Sequence, residues 1–194
     1  MIFAASLVCP QELLPKRPGS SSVDFYKEEI TVTVDDSVAS IKGIYYFQNN
    51  TQKEGQFPVM FPFYVDSLSL FPVNISAYVM DGVKAETLAY RAMPEASSIT
   101  LRVPLKPNLT TIWRLDYSQK ILAPHARYIL TSTASWKMPL AEATYRFIVP
   151  ADWENVTVWP TADTMIAHGG LKTYSCNRKD FMPKQDMEIS WRRK

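Results

Sequence analysis

The sequence predicts an all-β protein, an antiparallel two-sheet sandwich with little helix. Three observations carry that expectation. Apolar side chains recur at every second position in segment after segment. Turn signals separate these segments at intervals of roughly ten residues, the spacing of sandwiches and barrels. No segment sustains a capped 3.6-residue period. The chain has 194 residues, 46% of them hydrophobic, enough to bury a sizeable core without covalent staples.

Residues 1–22 read as an N-terminal arm or the remnant of a signal segment, and 23–194 as a single β-sandwich domain. Ile2 to Cys9 is small and apolar, like the tail of a signal-peptide hydrophobic region. Leu7 and Val8 stand where a lipoprotein signal needs small residues. Pro10, Pro15, Pro18 and Gly19 to Ser22 have the composition of a linker. Ile30, Val32 and Val34 then alternate with threonines up to a turn at Asp35-Asp36. Ala39, Ile41, Gly43, Tyr45 and Phe47 share one strand face. Phe57 to Val65 is a strand interrupted by Pro58 and Pro62, which lack ladder donors, so an edge position or a bulge is expected. Leu68 and Leu70 alternate on one parity and Val73, Ile75, Ala77 and Val79 on the other, placing a bulge or a change of sheet at Phe71-Pro72. Asp81-Gly82 is a hairpin turn. Residues 84–93 are ambiguous and hold a short helix on one reading, through Leu88, Ala89 and Met93. Clean alternation returns at Ile99, Leu101, Val103 and Leu105, then at Trp113, Leu115 and Tyr117. It continues through Tyr128 and Leu130, and through Ala141, Ala143, Tyr145, Phe147 and Val149. Val156 and Val158 make a short strand, and Met187, Ile189 and Trp191 the last. Cys176 to Pro183 reads as a polar loop in which Phe181 plugs the end of the core.

The chemistry is sparse. A net charge of +2 with scattered basic residues gives no field for nucleic acid or anionic lipid, and Arg192-Arg193-Lys194 reads as a solvated tail. Cys9 and Cys176 either pair as one disulfide or stay free, and no CxxC supports zinc or thiol exchange. His125, His168 and Cys176 fit no metal-ligand spacing. His168-Gly169-Gly170 matches the oxyanion loop of some esterases, but the G-x-S-x-G elbow that such a loop serves is missing, so a glycine turn between late strands is expected. Asp35, Asp36, Asp152, Glu154, Asp163 and Asp180 all sit beside turn signals and read as turn and solvent carboxylates rather than a glycosidase pair. Four sequons, beginning at Asn49, Asn74, Asn108 and Asn155, carry no weight. No catalytic, cofactor-binding or metal-binding residue is assigned, and no cofactor is expected. Trp136, Trp153 and Trp159 lie near turns and are the candidates for stacking a sugar or peptide, against the alternative that they fill the core or its rim.

Three stretches together carry a resemblance: Ile41 to Pro62 with its Phe57-Pro58 and Phe61-Pro62 pairs; Leu105-Lys106-Pro107 followed by Trp113 to Tyr117; and Tyr128 to Thr131 leading through Trp136-Lys137-Met138-Pro139-Leu140 to Tyr145 and Pro150. The order resembles uncharacterised secreted β-sandwich domains of bacteria and archaea. It is more loosely similar to the N-terminal domain shared by vault proteins and inter-alpha-trypsin inhibitor heavy chains. The resemblance implies an immunoglobulin-like or related sandwich on an exported or envelope protein, and carries no catalytic residue across. The expectation is therefore a non-catalytic domain that contacts a protein or glycan partner. Any membrane attachment would come through an anchor outside this chain. The alternative is an accessory domain of a carbohydrate-active or hydrolytic enzyme, or an enzyme of that kind with an unfamiliar acidic site. A third possibility is a subunit that pairs through an exposed edge strand.

Overall fold

The computed structural model describes Arg17, Gly19 and residues 21–82 and 84–192. Cys9 and most of the arm, with the signal-like segment, lie outside these residues. The alternation of Ile30, Val32 and Val34 becomes strand β1 (Val23–Asp35), which turns at Asp36-Ser37 into β2 (Val38–Asn49). There follow β3 (Gly55–Pro62), β4 (Val73–Asp81), β5 (Lys84–Leu88), β6 (Tyr90–Met93), β7 (Ser98–Leu105), β8 (Thr110–Lys120) and β9 (His125–Tyr128). After a 3-10 turn at Thr131–Trp136 come β10 (Leu140–Pro150), β11 (Glu154–Trp159), β12 (Thr164–His168), β13 (Leu171–Phe181) and β14 (Met187–Arg192). The all-β sandwich architecture expected from the alternation is the one observed.

One layer is an eight-stranded sheet in the order β12-β13-β10-β1-β2-β8-β4-β5. The facing layer is divided into two three-stranded sheets, β3-β7-β6 and β11-β14-β9. Pairing is antiparallel except between β1 and β10, which run parallel from Lys27↔Glu142 to Thr33↔Ile148. The large sheet is thus mixed rather than wholly antiparallel. A parallel pair needs a long crossover, and the chain supplies one by building β2 to β9 before β10 returns beside β1. One cluster of buried side chains joins the layers: Ile30, Trp113, Leu115, Tyr145 and Val149 from the large sheet, Ile99 and Val103 from one small sheet, and Met187 and Ile189 from the other, none more than 1% exposed.

Several local expectations are refined. Residues 84–93 are strands β5 and β6, not helix. The Asp81-Gly82 hairpin delivers β5 onto β4, and β6 pairs with β7, so ladder hydrogen bonds outweigh the weak helical spacing. Most of the Cys176–Pro183 segment is not a loop but the end of β13, paired with β10 through Leu140↔Phe181. His168-Gly169-Gly170 is a turn: both glycines take positive φ, 58° and 77°, and join β12 to β13. The irregularity expected at Phe71-Pro72 falls just after it, between Val73 and Ser76, where Asn74 has φ 54°. Leu68 and Leu70 face outward while Ser69 is buried. Cys176 is a free, buried thiol, and burial pushes it up to about 11.

Candidate functional site

The division of the facing layer leaves a seam. β3 pairs with β7 and β9 with β14, so each ends its small sheet, and side chains of both line the gap between the sheets. Pro58 and Pro62 lie on the β3 edge, as expected of prolines in a paired strand, and withhold donors that a closing strand would use. The seam opens into a pocket of about 400 Å³, within the range typical of small-ligand sites. Its floor comes from the large sheet: Phe25 and Glu28 on β1, Tyr45 and Phe47 on β2, Trp113 on β8. β3 supplies one wall with Phe57, Val59 and Phe61. Tyr128 and the 3-10 turn, through Ser132, Ser135 and Trp136, supply the other. Met60, Ser132 and Ser135 are exposed at the rim, whereas the floor is buried.

The walls are aromatic and interlocked. Tyr45 stacks on Trp113 with centroids 4.3 Å apart and meets Phe61 edge-on at 5.8 Å. Phe61 reaches Tyr128 across the seam at 6.2 Å. Trp136 packs on Phe47, Phe57 and Phe25 at 5.2, 5.4 and 5.5 Å. Gly43 makes this possible. A Cβ there would lie 2.0 Å from the Tyr45 Oη, so the missing side chain lets the Tyr45 ring lie over the strand. Its hydroxyl then meets the Tyr128 hydroxyl at 2.8 Å.

In this apolar surface sits one carboxyl group. Ile30, Val32 and Val34 face the core, and the same parity carried back along β1 turns Glu28 inward, where it is 2% exposed. The Tyr145 hydroxyl donates to it at 2.7 Å. Burial pushes the Glu28 carboxyl up to about 7, and the Tyr145 bond opposes that rise. Burial also raises Tyr45 and Tyr128 well above the usual phenol range, with the Glu28 charge adding to both. Trp113, 1% exposed, leaves its indole N–H without a partner among the described residues.

The three tryptophans singled out in the sequence are not brought together. Trp136 is half-buried in the pocket wall. Trp153 is 5% exposed and stacks on Trp191 at 4.5 Å and 10°, so its faces are taken up by packing and it offers no platform. Trp159 is half-buried near Phe181, at 6.4 Å. Of the turn carboxylates, Asp163 receives the Asn177 N–H and the Arg178 guanidinium, and these bonds lower its pKa. Among the described residues, no three His, Cys, Asp or Glu side chains converge on a possible metal position. Glu28 was missed in the sequence, although a charged residue on the inward parity of a core strand is itself a signal.

No protein-family model and no curated protein sequence matches the chain. Solved structures do. A candidate nutrient-binding protein from Legionella pneumophila superposes with a TM-score of 0.65 at 13% identity, over 88% of this chain and 67% of that one. An M1 zinc metallopeptidase from Deinococcus radiodurans superposes with a TM-score of 0.50 at 15% identity, over 87% of this chain. This chain spans only 42% of the length of that peptidase. At these identities the likeness is one of fold.

Proposed function

We propose that this chain is a non-catalytic binding domain of an exported or envelope-associated protein, and that the seam pocket is where it takes hold of its ligand. The observation that carries the reading is the divided facing layer, which leaves an aromatic-walled cavity of about 400 Å³ between two free strand edges. The resemblance to secreted sandwich domains and the apolar start of the chain support export. The likeness to a candidate nutrient-binding protein agrees with a binding role.

The likeness to part of a peptidase motivates a second reading, an accessory domain of a hydrolytic enzyme. Glycoside cleavage in this pocket is disfavoured by its lining. Acid–base cleavage of a glycoside needs two carboxyl groups at a set separation, and the lining holds one, Glu28.

Saturation-transfer NMR with a panel of neutral, cationic and anionic fragments of four to ten heavy atoms tests the proposal. Fragments that bind the native chain should lose their signal in a Ser132→Trp/Ser135→Trp variant, whose new rings stand at the rim. A panel with no binder, or binders indifferent to that variant, would overturn it.

A further inference from the structure

We infer that the seam pocket selects an organic ammonium group, with Glu28 as its counter-charge and the aromatic lining of the pocket as its apolar surround. The inference rests on the binding role proposed above and adds the chemical class of the ligand.

Three features point to it. The first is the composition of the lining: aromatic faces carry negative quadrupole charge and attract cations, most strongly from tryptophan and tyrosine in a desolvated site. The second is that Glu28 is a buried carboxyl without a counter-charge. No Lys, Arg or His stands among the residues that line the pocket, and among the described residues its one hydrogen-bond donor is Tyr145. Buried carboxylates are ordinarily paired, so an ammonium group arriving in the pocket would supply the missing partner. The third is the orphaned indole N–H of Trp113, a buried donor in the same lining. A ligand oxygen beside the ammonium group would satisfy it. An anion is disfavoured, because it would face Glu28 with no cation beside it.

Burial pushes Glu28 up to about 7, so the carboxyl is partly ionised at neutral pH. An arriving cation favours the carboxylate, so binding releases a proton below about pH 7 and tightens as the pH rises through that value. The titratable groups facing Glu28 are Tyr145 from β10, Tyr45 from β2 and Tyr128 from β9. All three are raised above the usual phenol range and stay neutral throughout. An alkylammonium ion, with a pKa of about 10 like that of lysine, stays charged over the same interval.

The test is isothermal titration of the native chain with n-butylammonium, 1-butanol and butanoate, which share a hydrocarbon tail and differ in charge. Nα-acetyl-lysine amide is added to separate a free amine from a lysine side chain on a partner. At pH 8, one of the two ammonium probes should bind about tenfold or more tighter than 1-butanol, with butanoate weakest. Glu28→Gln should abolish that preference and leave 1-butanol unchanged. Should that variant not fold, the native chain still decides. Ammonium affinity should rise several-fold between pH 6 and 8 while 1-butanol affinity stays flat. Equal or tighter binding of 1-butanol, or an ammonium preference that survives Glu28→Gln or ignores pH, overturns the inference. If 1-butanol binds and neither ammonium probe does, the pocket stands as a binding site and only its selectivity falls. If no probe binds, both readings fall.

Discussion

Replacing Glu28 by glutamine isolates what the buried carboxyl does to stability. The side chain keeps its shape, and its amide oxygen can still accept from the Tyr145 hydroxyl that now donates to Glu28 at 2.7 Å. Only the ionisation is lost. A carboxyl whose pKa is higher in the folded chain than in the unfolded one keeps its proton folded and sheds it unfolded. Its stabilising contribution is fully present below about 4.5 and is lost as pH rises through about 7. That span, at about 1.4 kcal/mol per pH unit, amounts to about 3 kcal/mol in a wholly buried group. Native chain and Glu28→Gln should therefore be of similar stability near pH 4.5. By pH 8 the variant should be ahead by about 3 kcal/mol, or roughly 6–12 °C in Tm for a domain of this size. Urea unfolding followed by tryptophan fluorescence across that pH range reads the difference directly, and carboxyls common to both chains cancel. Parallel stability curves, with the same gap at every pH, would refute the argument, because Glu28 would then titrate alike in both states.

Other substitutions probe the same architecture. Tyr145→Phe removes the donor to Glu28 and should cost about 1–3 kcal/mol in urea unfolding, more above pH 7 than at pH 5, because a buried carboxylate then loses its hydrogen bond. Gly43→Ala puts a methyl 2.0 Å from the Tyr45 hydroxyl. It should cost about 1–3 kcal/mol by overpacking and shift the Tyr45 and Tyr128 ring resonances in an NMR spectrum. Trp153→Ala empties a stacked core position against Trp191 and should destabilise by about 3–5 kcal/mol in the same unfolding assay. Trp136→Ala, at a half-buried wall position, should cost less than Trp153→Ala and should weaken binding of fragments that the native chain retains.

Most of the fold was legible in the sequence because burial in a sheet has a period of two. The parity of Ile99 to Leu105, Trp113 to Tyr117 and Ala143 to Val149 is the parity of the core. Alternation disappears where a strand is exposed on both faces. β12 is exposed along its whole length, and most of β5 and β6 is exposed too. Backbone pairing, not side-chain burial, holds those strands in place, so their sequences carry no alternation. Parity also says nothing about direction, which is why the parallel β1–β10 pair was not foreseen: strand order depends on the path of the whole chain.

The pocket was harder to read for a related reason. It is made where neighbours are absent, between two sheet edges, and a sequence names neighbours only along the chain. Two fragments of it were nevertheless visible. Pro58 and Pro62 mark β3 as an edge or bulged strand, and the structure makes it an edge, one bank of the seam. Trp136 was singled out for standing near a turn, and the turn places it in the wall. Glu28 becomes legible only when the inward parity of Ile30, Val32 and Val34 is carried back one step along β1. The physical test that would have found it is to extend each apolar parity through its whole strand and ask which charged residue falls on it. A carboxyl there either costs stability or meets a partner, and in this fold the side chains around it are aromatic rings rather than cations. The residue that breaks the pattern is therefore the one that says what kind of ligand could complete it.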